Sequence, residues 1–264
     1  MRVQPLAALT AAAAIAGGAG LLAQATPAAR TQSRPAARAS ITGSWEIFPL
    51  RGEGFGSGMK LKTPVTPPKP IPEPPLRQPY LDQWKAQQAE NLERTRKGLP
   101  PPSTGMACMP DGMPGMMQAT FPMEILETPG QVTVIEEAFN QVRRIYLNEP
   151  LPALDDAEPR FNGHSVAKWE GNTLVVTTIA VKEMARFRNV PHSAKMRVTE
   201  RWRLITDEML ENQVTVEDPE FLTAPWTWSW MYHRWPGYKI EEYVCEDNRY
   251  FEDPAQKYQR LRID

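Results

Sequence analysis

The most constraining feature of the sequence is a series of short, strand-like segments that starts near residue 121 and contains no helical pattern. We predict strands over 41–48, 121–127, 131–139, 142–147, 166–170, 173–181, 196–206, 210–217, 226–233 and 239–246. Several of them are β-branched and alternate between apolar and polar residues. Turns are expected at Pro129-Gly130, Gly171-Asn172 and Thr206-Asp207-Glu208. Such spacing predicts an antiparallel meander, which loses its exposed edges by closing into a barrel or folding into a sandwich.

The residues before this series differ from it in composition. Residues 63–79 contain eight prolines and predict an extended, polyproline-like linker. Residues 80–97 predict a surface helix, because the apolar face is thin and Gly98 follows the last helical residue. We therefore expect a mainly β fold: a single antiparallel β-barrel or sandwich over 105–264, preceded by an N-terminal strand, a Pro-rich linker and one helix over 41–104. Gly43-Ser44-Trp45 resembles the Gly-x-Trp with which lipocalin-like barrels begin.

The first residues carry the pattern of an export signal. Residues 1–25 combine a basic start, an apolar run over 6–22 and an Ala-x-Ala ending at Ala25, which predicts a cleaved signal peptide. The alternative is a retained anchor. Residues 26–40 are poor in hydrophobic residues and predict a disordered leader. No later stretch matches a membrane helix in length, so we expect no membrane span after cleavage and a periplasmic or secreted location.

Charge and cysteine content indicate which classes of partner and cofactor to expect, and whether the cysteines are bonded. The 30 basic and 31 acidic residues give a net charge of −1, and no basic cluster is dense, so a nucleic-acid partner is not expected. No Gly-rich nucleotide loop is present, and no cofactor is expected. Export would place Cys108 and Cys245 in an oxidising compartment, which favours a disulfide between them. The alternatives are two free thiols or one metal-bound thiol.

A longer stretch is similar to a known family. The run Gly163-His164-Ser165 to Trp169-Glu170-Gly171-Asn172-Thr173-Leu174-Val175-Val176 resembles the GxSxGxWEGDTLVVDT stretch of a large uncharacterised family of exported proteins from proteobacteria and acidobacteria. Further similar segments are Cys108-x-Pro110, Thr199-Glu200-Arg201, Glu217-Asp218-Pro219, Pro225-Trp226-Thr227 and Glu242-Tyr243-Val244-Cys245. The chain departs from the pattern at Asn172 and Thr177, where Asp is usual. The resemblance implies export and one continuous fold, and it implies no mechanism.

Strand alternation selects the candidate catalytic residues. Glu200 and Glu136 share their strand faces with apolar residues and are expected to point inward, and Arg144 is expected to face the interior as well. A buried carboxylate is costly unless it is paired. An inward Glu200 beside Arg144 is therefore either a structural ion pair or a general base beside an anion-binding group. His192 and His164 lie in or beside loops and could join Glu200 as acid–base partners. No His-x-His spacing supports a metal site.

A row of aromatic residues provides a candidate ligand surface. Trp226, Trp228, Trp230 and Tyr232 alternate along one strand, so all four face the same side. Together with Trp202 and Glu136 they are expected to bind a small apolar or aromatic molecule. The alternative is an aromatic core stripe or a subunit interface. The oligomeric state is not predicted.

Three functional hypotheses follow. The first is a barrel that binds a small apolar or aromatic molecule and performs acid–base chemistry on it. The second is a non-catalytic carrier of such a ligand. The third is a periplasmic copper-binding protein, because the Met-rich residues 106–117 offer the thioether ligands that suit Cu(I). Glu200 hydrogen-bonded to a histidine would favour the enzyme, and a dry, apolar interior would favour the carrier.

Overall fold

The computed structural model of the protein describes residues 38–49, 58, 60–99, 108–245, 250–253 and 258–261. The predicted signal peptide and residues 26–37 of the predicted leader lie outside the described residues. In the described part, nine strands close into a barrel and two more form a separate hairpin. The barrel strands are β1 (Gly43–Phe48), β2 (Met123–Thr128), β3 (Gln131–Glu136), β4 (Gln141–Leu147), β5 (His164–Glu170), β6 (Thr173–Ile179), β7 (Arg197–Thr206), β8 (Met209–Glu217) and β9 (Trp226–Arg234). The hairpin consists of β10 (Tyr250–Asp253) and β11 (Tyr258–Leu261).

The order of strands around the barrel follows their order in the chain. β1 completes the ring by pairing antiparallel with both β2 and β9. The predicted turns connect β2 to β3, β5 to β6, and β7 to β8. The prediction of a mainly β, single-barrel fold with one helix is confirmed, and the sandwich alternative is excluded. A closed barrel has no free edge, which is the physical reason why a meander of this length closes.

Two details of the predicted meander are wrong. β4 and β5 pair in parallel, with Ile145 opposite Ser165, because the connection 148–163 returns to the end at which β4 begins. The segment 239–244, predicted as a strand, has no regular structure. β9 already pairs with β8 on one side and β1 on the other, so no edge is left for it. The segment 239–244 and the preceding Tyr238 instead contact Glu137. The Glu137 carboxylate accepts hydrogen bonds from the Tyr238 hydroxyl and the Glu241 N–H.

The predicted helix is present as α1 (Tyr80–Arg96). None of its residues is buried, which confirms a surface position. Gly98, with φ +74°, follows its end in the left-handed conformation that favours glycine. No helix in the described part of the chain is long and apolar enough to cross a membrane.

The barrel interior is filled partly by a segment outside the sheet. We call residues 112–119, which include a short 3-10 helix at Gly115–Gln118, the plug. Met113, Met116 and Met117 of the plug belong to the hydrophobic core and are almost fully buried. The Tyr232 hydroxyl donates to the Met117 carbonyl and holds the plug to β9. Met113, Met116 and Met117, which belong to the segment proposed to bind copper, therefore fill the core, a role that suits their flexible side chains.

The two cysteines are joined. Cys108 and Cys245 form a disulfide with a Cα–Cα distance of 5.6 Å across 137 residues of sequence. The predicted disulfide is confirmed, and Cys108 is not available as a thiolate ligand. The bond ties the chain just before the plug to the segment that follows β9.

Candidate functional site

The barrel interior contains a buried ion pair. Glu200 on β7 and Arg143 on β4 have side chains that are 0% and 1% exposed. Both guanidinium Nη atoms of Arg143 donate to the Glu200 carboxylate. The same carboxylate also accepts from Trp202 Nε1 at 3.2 Å and Asn212 Nδ2 at 2.9 Å. Glu200 thus faces inward, as strand alternation predicts, and its acceptor capacity is taken up by protein donors.

The rest of Arg143 is bonded to two hydroxyl groups. Its Nε donates to Ser165 Oγ at 3.3 Å and its Nη2 to Thr178 Oγ1 at 3.0 Å. The two hydroxyls lie 2.9 Å from each other across β5 and β6. A buried charge pair is tolerated only when its remaining donors and acceptors are bonded in this way. The network is therefore a structural element of the barrel.

The inward-facing arginine is Arg143, and the prediction that Arg144 faces inward is wrong. On β4 the buried residues are Gln141, Arg143 and Ile145, and Arg144 is exposed on the outer face. The strand has an apolar residue on each face, and Val142, 42% exposed, is the one that faces solvent. Alternation cannot distinguish the two faces of such a strand.

No histidine is among the hydrogen-bond partners of Glu200 in the described part of the chain. The His192 ring nitrogens contact the backbone carbonyls of Ser193 at 3.1 Å and Ala185 at 3.2 Å. The His164 ring stacks on Tyr146 at the start of β5, with centroids 5.6 Å apart. The acid–base group predicted around Glu200 is therefore not assembled. The histidine that does meet a carboxylate is His233, whose Nδ1 lies 3.1 Å from Glu46; no local pattern links two residues so far apart in the sequence.

The aromatic row lies inside the barrel and packs as core. Trp226, Trp228 and Trp230 contact Phe187 from the loop after β6, and the Phe187 and Trp228 rings stack with centroids 5.4 Å apart. The indole N–H groups of Trp228 and Trp230 are buried and have no hydrogen-bond partner among the described residues. The cavity beside Phe187 and Trp226 measures about 20 Å³. At Trp226 this cavity is too small for a ligand of ring size.

Glu136 is the second inward carboxylate, and it is also buried. It accepts a hydrogen bond from Gln141 Nε2 at 2.8 Å. Burial, and then the negative charge of Asp111, raise the pKa of Glu136 well above its ordinary value. Its contact is therefore a structural one between neighbouring strands, at the junction of β3 and β4. Among the described residues, no group of three or more His, Cys, Asp or Glu could hold a metal ion.

An open cleft lies where β4 and β5 meet. The parallel pairing of these strands covers only Ile145–Leu147 of β4, so the first half of β4 has no partner on the β5 side. A cleft of about 260 Å³ occupies this position. We call it the seam cleft; its lining is Val142, Arg143, Arg144, Tyr146, Arg160, Phe161, Asn162, Gly163, His164 and Ser165. The predicted residues Arg144 and His164 are therefore brought together here.

The seam cleft is cationic. Three arginines and one histidine line it, and none of its lining residues is acidic. Arg143 is neutralised by Glu200, but Arg144 has no ion-pair partner among the described residues. Among the described residues Arg160 pairs with Glu158 alone, at 3.4 Å in an exposed position, where an ion pair contributes little. The cleft therefore favours an anionic ligand.

The backbone next to the cleft is tightly constrained. Gly163 has φ +62°, and a Cβ at this position would lie 2.5 Å from the Ile179 carbonyl oxygen. Only glycine fits here, and it aligns His164 and Ser165 at the start of β5. Next to it, Asn162 has a buried side-chain oxygen without a partner among the described residues. Sequence reasoning missed Arg160, Phe161 and Asn162, although they directly precede the Gly163-His164-Ser165 motif.

Matches to known proteins occur among solved structures. No protein-family model matches the chain, and no curated protein is similar to it. Among solved structures, a mutant and the wild type of the fluorescent protein UnaG align at 16% sequence identity, with TM-scores of 0.27 and 0.25. Each alignment covers 43% of this chain, and 70% and 72% of the respective UnaG chains. Similarity of this extent assigns neither a family nor a ligand.

Proposed function

We propose that the protein is an exported, non-catalytic carrier that binds a small anionic molecule with an aromatic or apolar body in the seam cleft. The observation that carries the proposal is the lining of this cleft, which contains three arginines, one histidine and no acidic residue. Arg144 is exposed and has no ion-pair partner in the described part of the chain. Closed antiparallel barrels commonly bind small ligands at or within their mouths.

The side chains that line the seam cleft indicate the chemical class of ligand that it binds. Arg144 and Arg160 offer planar guanidinium groups, which bind carboxylate or phosphate groups through paired hydrogen bonds. Tyr146 and Phe161 offer half-buried aromatic surface for a ring or an apolar chain. The cleft, at about 260 Å³, is below the usual range of about 300–1,000 Å³ for drug-sized ligands, which favours a single-ring compound.

Two observations support a carrier over an enzyme. Glu200, the predicted general base, is bonded to Arg143, Trp202 and Asn212. A carboxylate whose acceptor positions are occupied in the core does not reach a proton on a bound ligand. His164, the histidine of the cleft, stacks on Tyr146, and no carboxylate lines the cleft to orient it.

Export is proposed from the sequence of residues 1–25 and from the resemblance to exported proteins. The Cys108–Cys245 disulfide supports this proposal, because such bonds persist in oxidising compartments. N-terminal sequencing of protein recovered from its native compartment tests it. We expect the mature chain to begin at Thr26; an intact residue 1 would contradict export by cleavage.

The binding proposal is tested by calorimetry with benzoate, 4-hydroxybenzoate and trans-cinnamate, each compared with its uncharged amide. We expect at least one acid to bind, its amide to bind about tenfold more weakly, and the affinity to fall as salt is added. Arg144→Gln is expected to lower the affinity for the acid about tenfold. Arg201→Gln is the matched control, because Arg201 is exposed on β7 and does not line the cleft.

Two outcomes would refute the seam cleft as the site. One is that no acid binds, while native mass spectrometry of the purified protein shows no co-purifying anion. The other is that Arg201→Gln weakens binding as much as Arg144→Gln, which would indicate a general charge effect. Turnover of a bound acid would refute the non-catalytic assignment.

A further inference from the structure

A second groove lies on the helix side of the barrel. It is enclosed by α1, the loop 183–193 and the turn at 220–221, and we call it the helix groove. Its volume is about 440 Å³, compared with about 260 Å³ for the seam cleft, and the two share no lining residue. A groove of this size is large enough to hold a ligand of its own.

α1 forms one wall of the helix groove and packs Tyr80, Leu81 and Trp84, which are partly buried, against the hydrophobic core. None of its residues is buried. The helix is positioned by a few specific contacts: Trp84 Nε1 donates to the Arg188 carbonyl at 3.0 Å, and the Tyr80 ring packs on Phe221 with centroids 4.5 Å apart. These contacts fix the position of α1 beside the groove.

Aromatic surface is available in the helix groove. Tyr80, Trp84 and Phe221 all line it, and all three are half-buried rather than covered. The single polar atom of Trp84 is already bonded to Arg188, so the indole ring remains available for apolar contact. Half-exposed aromatic rings of this kind pack against apolar faces, including the C–H faces of sugar rings.

Side-chain amides surround this aromatic surface. Gln83 and Gln87 are one turn apart on α1, and Asn189 lies on the opposite loop. Their side chains have no hydrogen-bond partner in the described part of the chain. An amide both donates and accepts hydrogen bonds. A hydroxyl group does the same, so an array of free amides matches a ligand that carries many hydroxyls.

The charges of the helix groove are mixed. Glu183, Arg186 and Glu220 line it, and Glu220 is paired with Lys195 at 2.9 Å. The Arg186 Nε donates to the Glu183 backbone carbonyl at 3.3 Å. With both signs present, the groove selects neither an anion nor a cation. This differs from the seam cleft, which is cationic.

From aromatic surface, free amides and balanced charge, we infer that the helix groove binds an uncharged saccharide of one or two rings. The aromatic side chains would stack on the sugar, and Gln83, Gln87 and Asn189 would bond its hydroxyls. This site is independent of the anion site proposed in the seam cleft.

The test is calorimetric titration of the full mature chain with cellobiose, maltose, lactose and diacetylchitobiose. We expect at least one of the four to bind with a Kd near or below about 1 mM. Gln87→Ala is expected to lower the affinity for that sugar about tenfold, because the Gln87 amide can make two hydrogen bonds to the sugar. Gln88→Ala is the matched control: it is the next residue on α1, and its amide donates to the Arg188 carbonyl at 3.5 Å instead of lining the groove. Circular dichroism confirms that both variants keep α1.

Three results would overturn the inference. The first is no binding of any of the four sugars up to about 10 mM. The second is equal affinity of Gln87→Ala and the unsubstituted protein. The third is loss of sugar binding in Arg144→Gln, which would place the sugar in the seam cleft. Failure of the anion proposal would leave this test unaffected, because it uses uncharged ligands and a different groove.

Discussion

Arg143 and Arg144 are adjacent on β4, and they end in opposite surroundings. Arg143 points into the barrel, is 1% exposed and is bonded to Glu200, Ser165 and Thr178. Both residues line the seam cleft, but Arg144 points outward and has no ion-pair partner among the described residues. A charged side chain that is buried and fully hydrogen-bonded stabilises the fold. A charged side chain that is exposed and has no partner can bind a ligand. Substitution of Arg143 should therefore change mainly the stability of the protein, and substitution of Arg144 should change mainly its affinity for an anion.

The largest effect is expected from breaking the interior ion pair. Arg143→Met should lower the free energy of unfolding by about 3–5 kcal/mol, because it leaves the Glu200 carboxylate buried and unpaired. Arg144→Met should change it by less than about 0.5 kcal/mol. Urea unfolding followed by tryptophan fluorescence measures both. The double variant Arg143→Met/Glu200→Met should regain most of the loss; a double variant as unstable as the single one would contradict a paired interior charge.

The next largest effect on stability is expected from removing the Cys108–Cys245 disulfide, which holds the chain beside the plug. Cys108→Ser/Cys245→Ser should lower the free energy of unfolding by about 2–5 kcal/mol, because the disulfide closes a long loop. Affinity for an anion in the seam cleft should stay unchanged, since neither cysteine lines it. Unfolding curves and calorimetry of the same sample separate the two quantities. A large loss of anion affinity with unchanged stability would reverse this assignment.

A smaller difference is expected between two interior tryptophans. Trp202 Nε1 donates to the Glu200 carboxylate, and Trp228 Nε1 has no partner among the described residues. Trp202→Phe should therefore cost about 1.5–3 kcal/mol more than Trp228→Phe in the free energy of unfolding, because only the former removes a hydrogen bond to a charged group. Both changes remove a similar volume, so each serves as the control of the other. Equal losses of unfolding free energy in the two variants would show that packing alone, and not the hydrogen bond to Glu200, determines the contribution of Trp202 to stability.

The mildest effect is a pH dependence that arises in the interior. Burial and the charge of Asp111 raise the pKa of Glu136 in the folded state. Its contribution to stability is therefore fully present below the unfolded pKa and is lost as the pH rises through the folded pKa. Glu136→Gln should remove this loss and flatten the stability curve above about pH 4.5, where one group changes stability by at most about 1.4 kcal/mol per pH unit.

Thermal unfolding at a series of pH values compares the two proteins. Arg144→Gln, in the seam cleft, should keep the slope of the unsubstituted protein. A slope that Glu136→Gln leaves unchanged would show that another group, such as Asp111, carries the pH dependence, because burial raises the pKa of Asp111 as well.

Much of the fold was predictable from short-range patterns. The helix was predicted over 80–97 and is present as Tyr80–Arg96, because strong helix formers end at Gly98. Alternation on β7 placed Glu200 inward correctly, since its neighbours Val198 and Trp202 are apolar. On β4, apolar residues occur on both faces, so the same reasoning selected Arg144 instead of Arg143.

The candidate sites were less predictable, because each joins residues that are far apart in the sequence. The seam cleft exists because β4 and β5 pair in parallel over only part of their length. The helix groove combines Gln87 with Asn189 from a loop about one hundred residues later. The predicted cluster of Glu200 with His192 and His164 is not joined by hydrogen bonds, and no local pattern indicates which loops lie next to each other.

Local patterning specified most of the barrel strands, the helix and the inward face of β7. Tertiary structure decided the closure of β1 onto β9, the filling of the barrel by the plug and the opposite roles of Arg143 and Arg144. The physical reason is one of range. Alternation and propensity act between near neighbours in sequence, whereas burial and charge pairing depend on which distant segment comes to lie alongside.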